Sequence, residues 1–419
     1  MNHLAARVPD PAVRRLSATL YGYAFLSDLV LLYPLYVVLF ADTGLSVGQI
    51  SSLFVIWSGA GILFEVPSGA WADVVSRRLL LCLAPLVTAA GYALWVLLPS
   101  YPAFAVGFLL WGAGGALVSG ALEALVWTEL ARLDASDRYA RVLGRARTAG
   151  VLGVVVTGVL AGPVFAAGGY PAVGAGSVLA CLLAATVATR FPEHRPSPVV
   201  ESGPDDHDDE LTWAGTLRAG VRQVRTRPPV RAAVLLVAVV AADWGALDEY
   251  TPLLALDTGA GARAVPLLLL LLWAGVTVGG LLAPMGERLG RRGYAALLGI
   301  VAVALAGGAL VRHPAGFVLL AVAFAAAQLA TVLADARLQA RITGGSRATV
   351  TSLAGMLTDV LIIGTYAGYG LVATAAGNAV AFAVAAGAYL IVGLALLIRR
   401  RRSTAVSGGV AAVVGSGPG

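Results

Sequence analysis

Carboxylates set inside apolar sequence are the groups in this chain most able to do chemistry. Asp28, Asp243 and Asp359 each stand near the middle of a long hydrophobic run. Glu65 and Glu123 lie in the inner parts of two further runs, and Asp248 and Glu249 lie close after Asp243. A carboxylate in hydrocarbon is costly as an anion, so it faces water, takes a partner or carries a proton. Arginine is nearly absent from the same runs, and lysine is absent from the whole chain. Static ion pairs are therefore hard to build. The chemistry open to Asp28, Asp243, Glu123 and Asp359 is reversible uptake of a proton or cation, and the bland alternative is a protonated acid hydrogen-bonded to helix backbone.

Aromatic residues accompany these acids. Tyr23 and Tyr33 share a run with Asp28, Trp244 and Tyr250 share one with Asp243, and Trp111 precedes Glu123. Together Tyr23, Tyr33, Trp111, Trp244 and Tyr250 could line an amphipathic pocket and stack on a cationic or aromatic solute. Each taken alone is more often a packing or interfacial residue.

The elements that must position these groups are membrane helices. The chain is 58% hydrophobic and 12% charged, where soluble domains carry about 25% charged residues. Crossing the hydrocarbon core takes about 20 apolar residues. Twelve such segments are predicted. The first six cover 17–40, 48–71, 79–99, 102–128, 147–168 and 171–190, and the last six cover 231–256, 264–284, 293–311, 315–336, 348–371 and 377–398. With a cytoplasmic N-terminus, the outward loops hold only Arg263 and Arg312, and every other arginine faces inward. Both termini are thus expected to be cytoplasmic, in a multi-pass protein of the plasma (inner) membrane. The net charge of +6 marks topology and gives no sign of nucleic-acid binding.

The layout expected is all-α: a six-helix bundle over 1–190, a linker over 191–230, a second bundle over 231–402 and a disordered tail over 403–419. The linker opens on Pro, Ser and Gly, passes through the acidic run Asp205–Glu210, and becomes amphipathic from Leu211 to Thr226. That last stretch suits a helix lying on the inner leaflet with its arginines near lipid phosphates. Cys82 and Cys181 both fall in apolar runs and read as packing residues. Histidines 3, 194, 207 and 313 are scattered over loops and termini. No metal site, cofactor or nucleotide-binding loop is expected.

Two features repeat between the halves. Asp28 precedes Asp42-Thr43-Gly44 by the same distance that Asp243 precedes Asp257-Thr258-Gly259. Gly69, Asp73, Arg77 and Arg78 close the second apolar run, and Glu287, Gly290, Arg291 and Arg292 close the eighth. An acid at a helix end beside arginines and a neighbouring helix dipole can form a breakable latch. These charges could also do no more than anchor the helix ends.

This second repeat resembles the loop motif of the major facilitator superfamily, which lies between helices two and three and again between eight and nine. The first copy has Ser76 where that motif has glycine. The second substitutes Glu287 for the aspartate and Ala283 for the leading glycine. Gly158, Gly162 and Pro163, followed by Gly168-Gly169, resemble the helix-five signature of the antiporter branch, with wider spacing and an upstream glycine displaced to Gly150. The helix-four arginine of many proton-coupled drug exporters has no counterpart around Phe108–Gly114.

The resemblance implies two pseudo-symmetric six-helix bundles and transport by alternating access, in a protein expected to be monomeric and not an enzyme. Together with the acids and aromatics it points to proton-coupled antiport that exports small, amphipathic, neutral or cationic molecules. Proton symport for uptake of a neutral or cationic nutrient is the alternative. A membrane enzyme or a transporter-like sensor is more remote. If the first motif copy is a latch, Asp73→Asn cuts transport while leaving expression largely intact. Full transport by a well-expressed variant would show that Asp73 is no latch.

Overall fold

In hydrocarbon every backbone N–H and C=O must find its partner within the protein, and a helix does this within one segment. The computed structural model describes residues 11–119, 121–194, 221–342 and 347–411, with backbone alone at 65–74, 348 and 399–411. Helices are its only regular elements among the described residues. Nine of them are long and apolar enough to cross a membrane, and one of the nine, Ser136–Ala188, is two passes joined at a kink. The shorter apolar helix Val265–Leu281 and a broken first helix complete the twelve segments.

Segment one is Pro11–Asp28 followed by Tyr36–Asp42. Segments two and three are Val47–Val74 and Arg77–Leu97, and segment four is Tyr101–Val118 with Ala121–Arg132. Segments five and six are the two arms of Tyr139–Ala188, which turn at Gly168 and Gly169. Segment seven is Pro228–Asp248 with Thr251–Asp257, and segment eight is Val265–Leu281 with Ala283–Gly286. Arg291–Leu310, Gly316–Gln339, Arg347–Ala376 and Asn378–Ala411 are segments nine to twelve. The first six segments, with Gly261–Leu267, form one compact unit, and the remaining segments form a second.

Several boundaries differ from the sequence expectation. Segment one is not continuous over 17–40. Pro34 has no N–H and crowds the carbonyl four residues earlier, so regular helix stops at Asp28 and resumes at Tyr36. The N–H of Leu32 is then taken by Ser177 Oγ of segment six at 2.9 Å. Segment seven breaks in the same way before Pro252, where Thr251 Oγ1 donates to the Asp248 carbonyl at 2.7 Å. Segment five starts at Tyr139 rather than 147, so Arg141, Arg145 and Arg147 are helical. The last helix runs through 403–411 of the tail expected to be disordered. Extending an existing helix, even through Gly408 and Gly409, costs less than nucleating one.

The repeated Asp-Thr-Gly is a helix stop. Thr43 Oγ1 donates to the Leu39 carbonyl at 2.7 Å, and Gly44 turns the chain at φ 89°. Thr258 Oγ1 donates to Ala255 at 2.7 Å, and Gly259 has φ 83°. A left-handed residue closing a helix is nearly free of strain only as glycine. Aspartate at a helix C-terminus opposes the helix dipole, and both aspartates are compensated. Asp42 accepts from Tyr170 Oη at 2.5 Å, at the start of segment six. Asp257 accepts from Asn378 Nδ2 at 2.9 Å, at the start of segment twelve.

Large apolar side chains such as Leu63, Leu281, Val303 and Leu371 stand exposed, as lipid-facing positions require. Helices inside each unit approach closely where side chains are missing. A Cβ on Gly275 would lie 2.4 Å from the Ala321 carbonyl oxygen, and one on Gly279 2.1 Å from that of Ala325. Both obstacles are backbone of segment ten. Gly275→Ala and Gly279→Ala should therefore each cost about 1–3 kcal/mol and lower the thermal unfolding midpoint in detergent. Gly364→Ala, which meets open space, should leave the midpoint unchanged.

Candidate functional site

The acid of segment one sits at the edge of its helix break. Asp28 is the last residue of Pro11–Asp28, and its side chain is exposed. Segment five presses against it with glycines. A Cβ on Gly150 would fall 2.2 Å from Asp28 Oδ2, and one on Gly153 would fall 2.5 Å from the Phe25 carbonyl oxygen. Thr157 Oγ1 donates to the Asp28 carbonyl at 3.4 Å, capping a group that the break leaves without its helical partner.

Aromatic rings gather in the same unit. Tyr33 meets Trp111 edge-on at 6.1 Å. Trp111 stacks on Trp57, with centroids 4.9 Å apart and planes 24° apart. All three are half-buried, as a wall that receives a flat solute would be. Behind them Tyr92, Trp95 and Phe108 are buried and pack on Trp111. The sequence reading singled out Tyr33 and Trp111 but missed Trp57, whose only signal is its place in segment two. Tyr23 is a core residue, not a pocket residue. It is 2% exposed, packs edge-on against Phe191 and donates to the Leu81 carbonyl at 3.3 Å.

In the second unit Asp243 is 6% exposed, and its Oδ2 has no hydrogen-bond partner among the described residues. Beside it, Trp244 Nε1 donates to Thr331 Oγ1 at 3.1 Å, and the Trp244 N–H donates to Tyr389 Oη at 3.0 Å. Asp248 accepts a hydrogen bond from Trp273, while its Oδ1 is buried and unpartnered among the described residues. Tyr250 is fully buried and stacks on Tyr369 at 3.6 Å. It belongs to the packing between segments seven and eleven rather than to an open pocket. Asp359 is half-buried on segment eleven, and Glu123 is exposed on segment four near Tyr139. Among the described residues, no hydrogen bond or ion pair joins Glu123 to Asp28 or Asp243.

The charged motif is clearest at the start of segment three. Ser76, which stands where the resembled motif has glycine, caps that helix by accepting from the Leu79 N–H at 3.1 Å. The same hydroxyl donates to Glu193, and the Arg77 N–H donates to Glu193 Oε1 at 2.7 Å. A carboxylate at a helix N-terminus gains from both the dipole and the free N–H groups. Arg77 Nη1 also reaches Thr128 Oγ1 of segment four at 3.1 Å. The next residue, His194, donates its N–H to Glu129 at 2.8 Å, and Glu129 pairs with Arg132 at 3.2 Å. Gly69 is described by its backbone alone, the side chains of Asp73 and Glu65 lie outside the described residues, and Arg78 is exposed.

In the second motif copy Glu287, Arg291 and Arg292 are exposed, with no ion pair to them among the described residues. The loop is held instead by Arg337 of segment ten. Its guanidinium lies 4.1 Å from the Tyr294 ring centroid, and Nη2 donates to the Leu289 carbonyl at 2.8 Å. In segment five Gly158 and Gly162 are buried and Pro163 is exposed. Gly162 leaves room for the carbonyl oxygen of Arg263, which a Cβ would approach to 2.6 Å.

Two broken segments bearing acids, in two six-segment units with matched charged loops, carry the resemblance noted above into three dimensions. The sequence profile of the Major Facilitator Superfamily matches residues 18–360. The chain belongs to the major facilitator superfamily. No curated protein matches it in sequence. Among solved structures it is similar to a mutant of the nucleoside transporter NupG, with a TM-score of 0.74 at 14% identity over 91% of this chain and 99% of that one. A bacterial homolog of the human lysosomal transporter Spinster, inward-facing and unoccupied, gives 0.69 at 15% identity over 93% and 97%. A D-xylose-proton symporter gives 0.63 at 15% over 92% and 96%. The fold is that of this superfamily, and the protein is a multi-pass secondary transporter.

Glu129 is the buried hub that joins Arg132 to the chain leaving segment six, its side chain 2% exposed. Glu129→Ala leaves those donors without their acceptor and should cost about 1–3 kcal/mol. His194→Ala keeps the backbone N–H bond and should cost less. Thermal unfolding of both variants in detergent checks the order, and equal midpoints would show that Glu129 is no hub.

Proposed function

We propose that this transporter couples proton movement to the passage of small, partly apolar, neutral or cationic solutes by alternating access, exporting them by antiport. The observation that carries the reading is Asp243. It is buried, on a segment whose interior holds no arginine, with one carboxylate oxygen unpartnered among the described residues. Such a group is tolerable when it exchanges a proton with a water-filled path. Asp28, its counterpart by sequence spacing, borders a broken helix in the first unit. The half-buried faces of Tyr33, Trp57 and Trp111 offer stacking to a flat or cationic solute. A buried anion would call for a charge-assisted donor, and the middles of the described segments offer none.

In this reading the arginine-rich ends face the cytoplasm of a plasma-membrane protein that works as a monomer. Gly69, Asp73, Arg77 and Arg78, with Glu287, Arg291 and Arg292, form its breakable latch. A second reading, uptake by proton symport, is favoured by the likeness to a D-xylose-proton symporter. Direction does not alter the role given to the acids.

The test is transport by purified protein in liposomes, with and without a pH gradient, using ethidium, uridine and phosphate as cationic, neutral and anionic probes. The expected result is saturable, gradient-dependent transport of ethidium or uridine but not phosphate. Asp243→Asn or Asp28→Asn should reduce the gradient response at least about tenfold, equivalent to about 1.4 kcal/mol, with one of the two still exchanging solute. Preferential transport of phosphate overturns the solute class. A normal gradient response in both variants removes the coupling role from these acids.

A further inference from the structure

Segment five meets the end of segment one through positions that carry no side chain. At Gly150 the obstacle to a Cβ is Asp28 Oδ2 at 2.2 Å, with the carboxyl carbon at 3.4 Å. At Gly153 the obstacles are the Phe25 carbonyl oxygen at 2.5 Å and the Asp28 backbone carbon at 3.2 Å. Thr157 completes the row with its hydroxyl on the Asp28 carbonyl. These three residues share one face of a helix by their spacing. They form a notch whose floor is bare backbone, with the carboxylate of Asp28 lying in it.

We propose that Gly150 is a positioning residue for Asp28: the bare Cα of Gly150 lets the carboxylate lie against segment five, while Gly153 and Thr157 hold the helix end from which Asp28 projects. The proposal rests on the reading of Asp28 as a proton-carrying group. The notch treats its two glycines differently. Gly150 faces the tip of a side chain, which can rotate away from an added methyl group. Gly153 faces backbone, so an added methyl group must displace the whole end of segment one. The first change alters where the acid points, and the second alters how the helices pack.

Three observations separate this from ordinary glycine packing. Gly144, on the same segment, meets nothing within 4 Å. Among the described glycines, none would put a Cβ against the counterpart acid, Asp243. Gly169 and Gly377 are the left-handed glycines after segments five and eleven, and as far before Gly377 as Gly150 and Gly153 precede Gly169 stand Thr358 and Leu361. Asp243 is correspondingly enclosed, whereas Asp28 is exposed. The two acids match in sequence but are housed differently, and Gly150 is part of that difference. Among the described residues, Tyr92 of segment three lies near enough to feel the charge of Asp28, and Cys181 of segment six lies near Tyr92. Arg147, nearly one turn before Gly150, is exposed.

The experiment is an infrared pH titration of the full-length protein in lipid nanodiscs, following the protonated-carboxyl band that Asp28→Asn removes. Gly150→Ala should shift the midpoint of that band by about half a pH unit or more, equivalent to about 0.7 kcal/mol. Its unfolding midpoint should stay near that of the parent. Gly153→Ala should lower the unfolding midpoint, and Gly364→Ala should change neither. If Gly150→Ala does not fold, Asp28→Glu is read instead, with an expected shift of about one pH unit or more, since glutamate alone titrates about 0.4 unit above aspartate and its longer side chain moves the carboxylate out of the notch from the other side. A band titrating as in the parent in Gly150→Ala, or shifted by only about 0.4 unit in its stand-in Asp28→Glu, overturns the positioning role and leaves Asp28 as a proton carrier. A band that Asp28→Asn does not remove overturns the proton-carrying role of Asp28, and the positioning role falls with it.

Discussion

An interrupted membrane helix must replace the backbone hydrogen bonds that it gives up, because lipid supplies none. Much of this protein's local structure answers that requirement. Pro34 and Pro252 interrupt segments one and seven. Each interruption is met by a hydroxyl: Ser177 takes the Leu32 N–H, Thr157 donates to the Asp28 carbonyl, and Thr251 donates to that of Asp248. Where the second helices of these segments end, Thr43 and Thr258 serve in the same way. The acids lie beside the interruptions because that is where regular packing is already suspended.

The units solve the same problem with different side chains. In the first unit the acid is exposed beside a glycine notch, and the charged loop is gathered by Glu193 and Glu129. In the second the acid is enclosed, and the corresponding loop is held by an arginine lying over a tyrosine ring. The two units share the order of helices and the stop signals, while their polar contacts differ. Two acids matched in sequence are thus housed unequally in the two units.

Periodicity and hydropathy made the twelve segments legible, because length and apolarity are what a bilayer demands of a span. The same averaging hid the breaks: Tyr33-Pro34 sits within a run whose mean hydropathy stays high. The Asp-Thr-Gly repeat was visible as a repeat, but its work as a helix stop rests on the φ of Gly44 and Gly259. Ser76 looked like an imperfect motif and is a helix cap. Tyr23 and Tyr33 are alike in sequence context, and only packing sends one into the core and the other to a half-buried wall. Glu129, Glu193 and Arg337 were missed because their partners are distant in sequence. The one local hint was an acid directly after Pro192, where segment six gives way to the linker.

The bonds from Asp42 to Tyr170 and from Asp257 to Asn378 have a mechanical meaning. Each fastens the first stave of a bundle to its last, at the ends that carry the fewest arginines. A row of six helices joined only by sequential loops could splay open like a fan. Fastened in this way it is a hooped cask, in which a force on any one stave is shared around the ring.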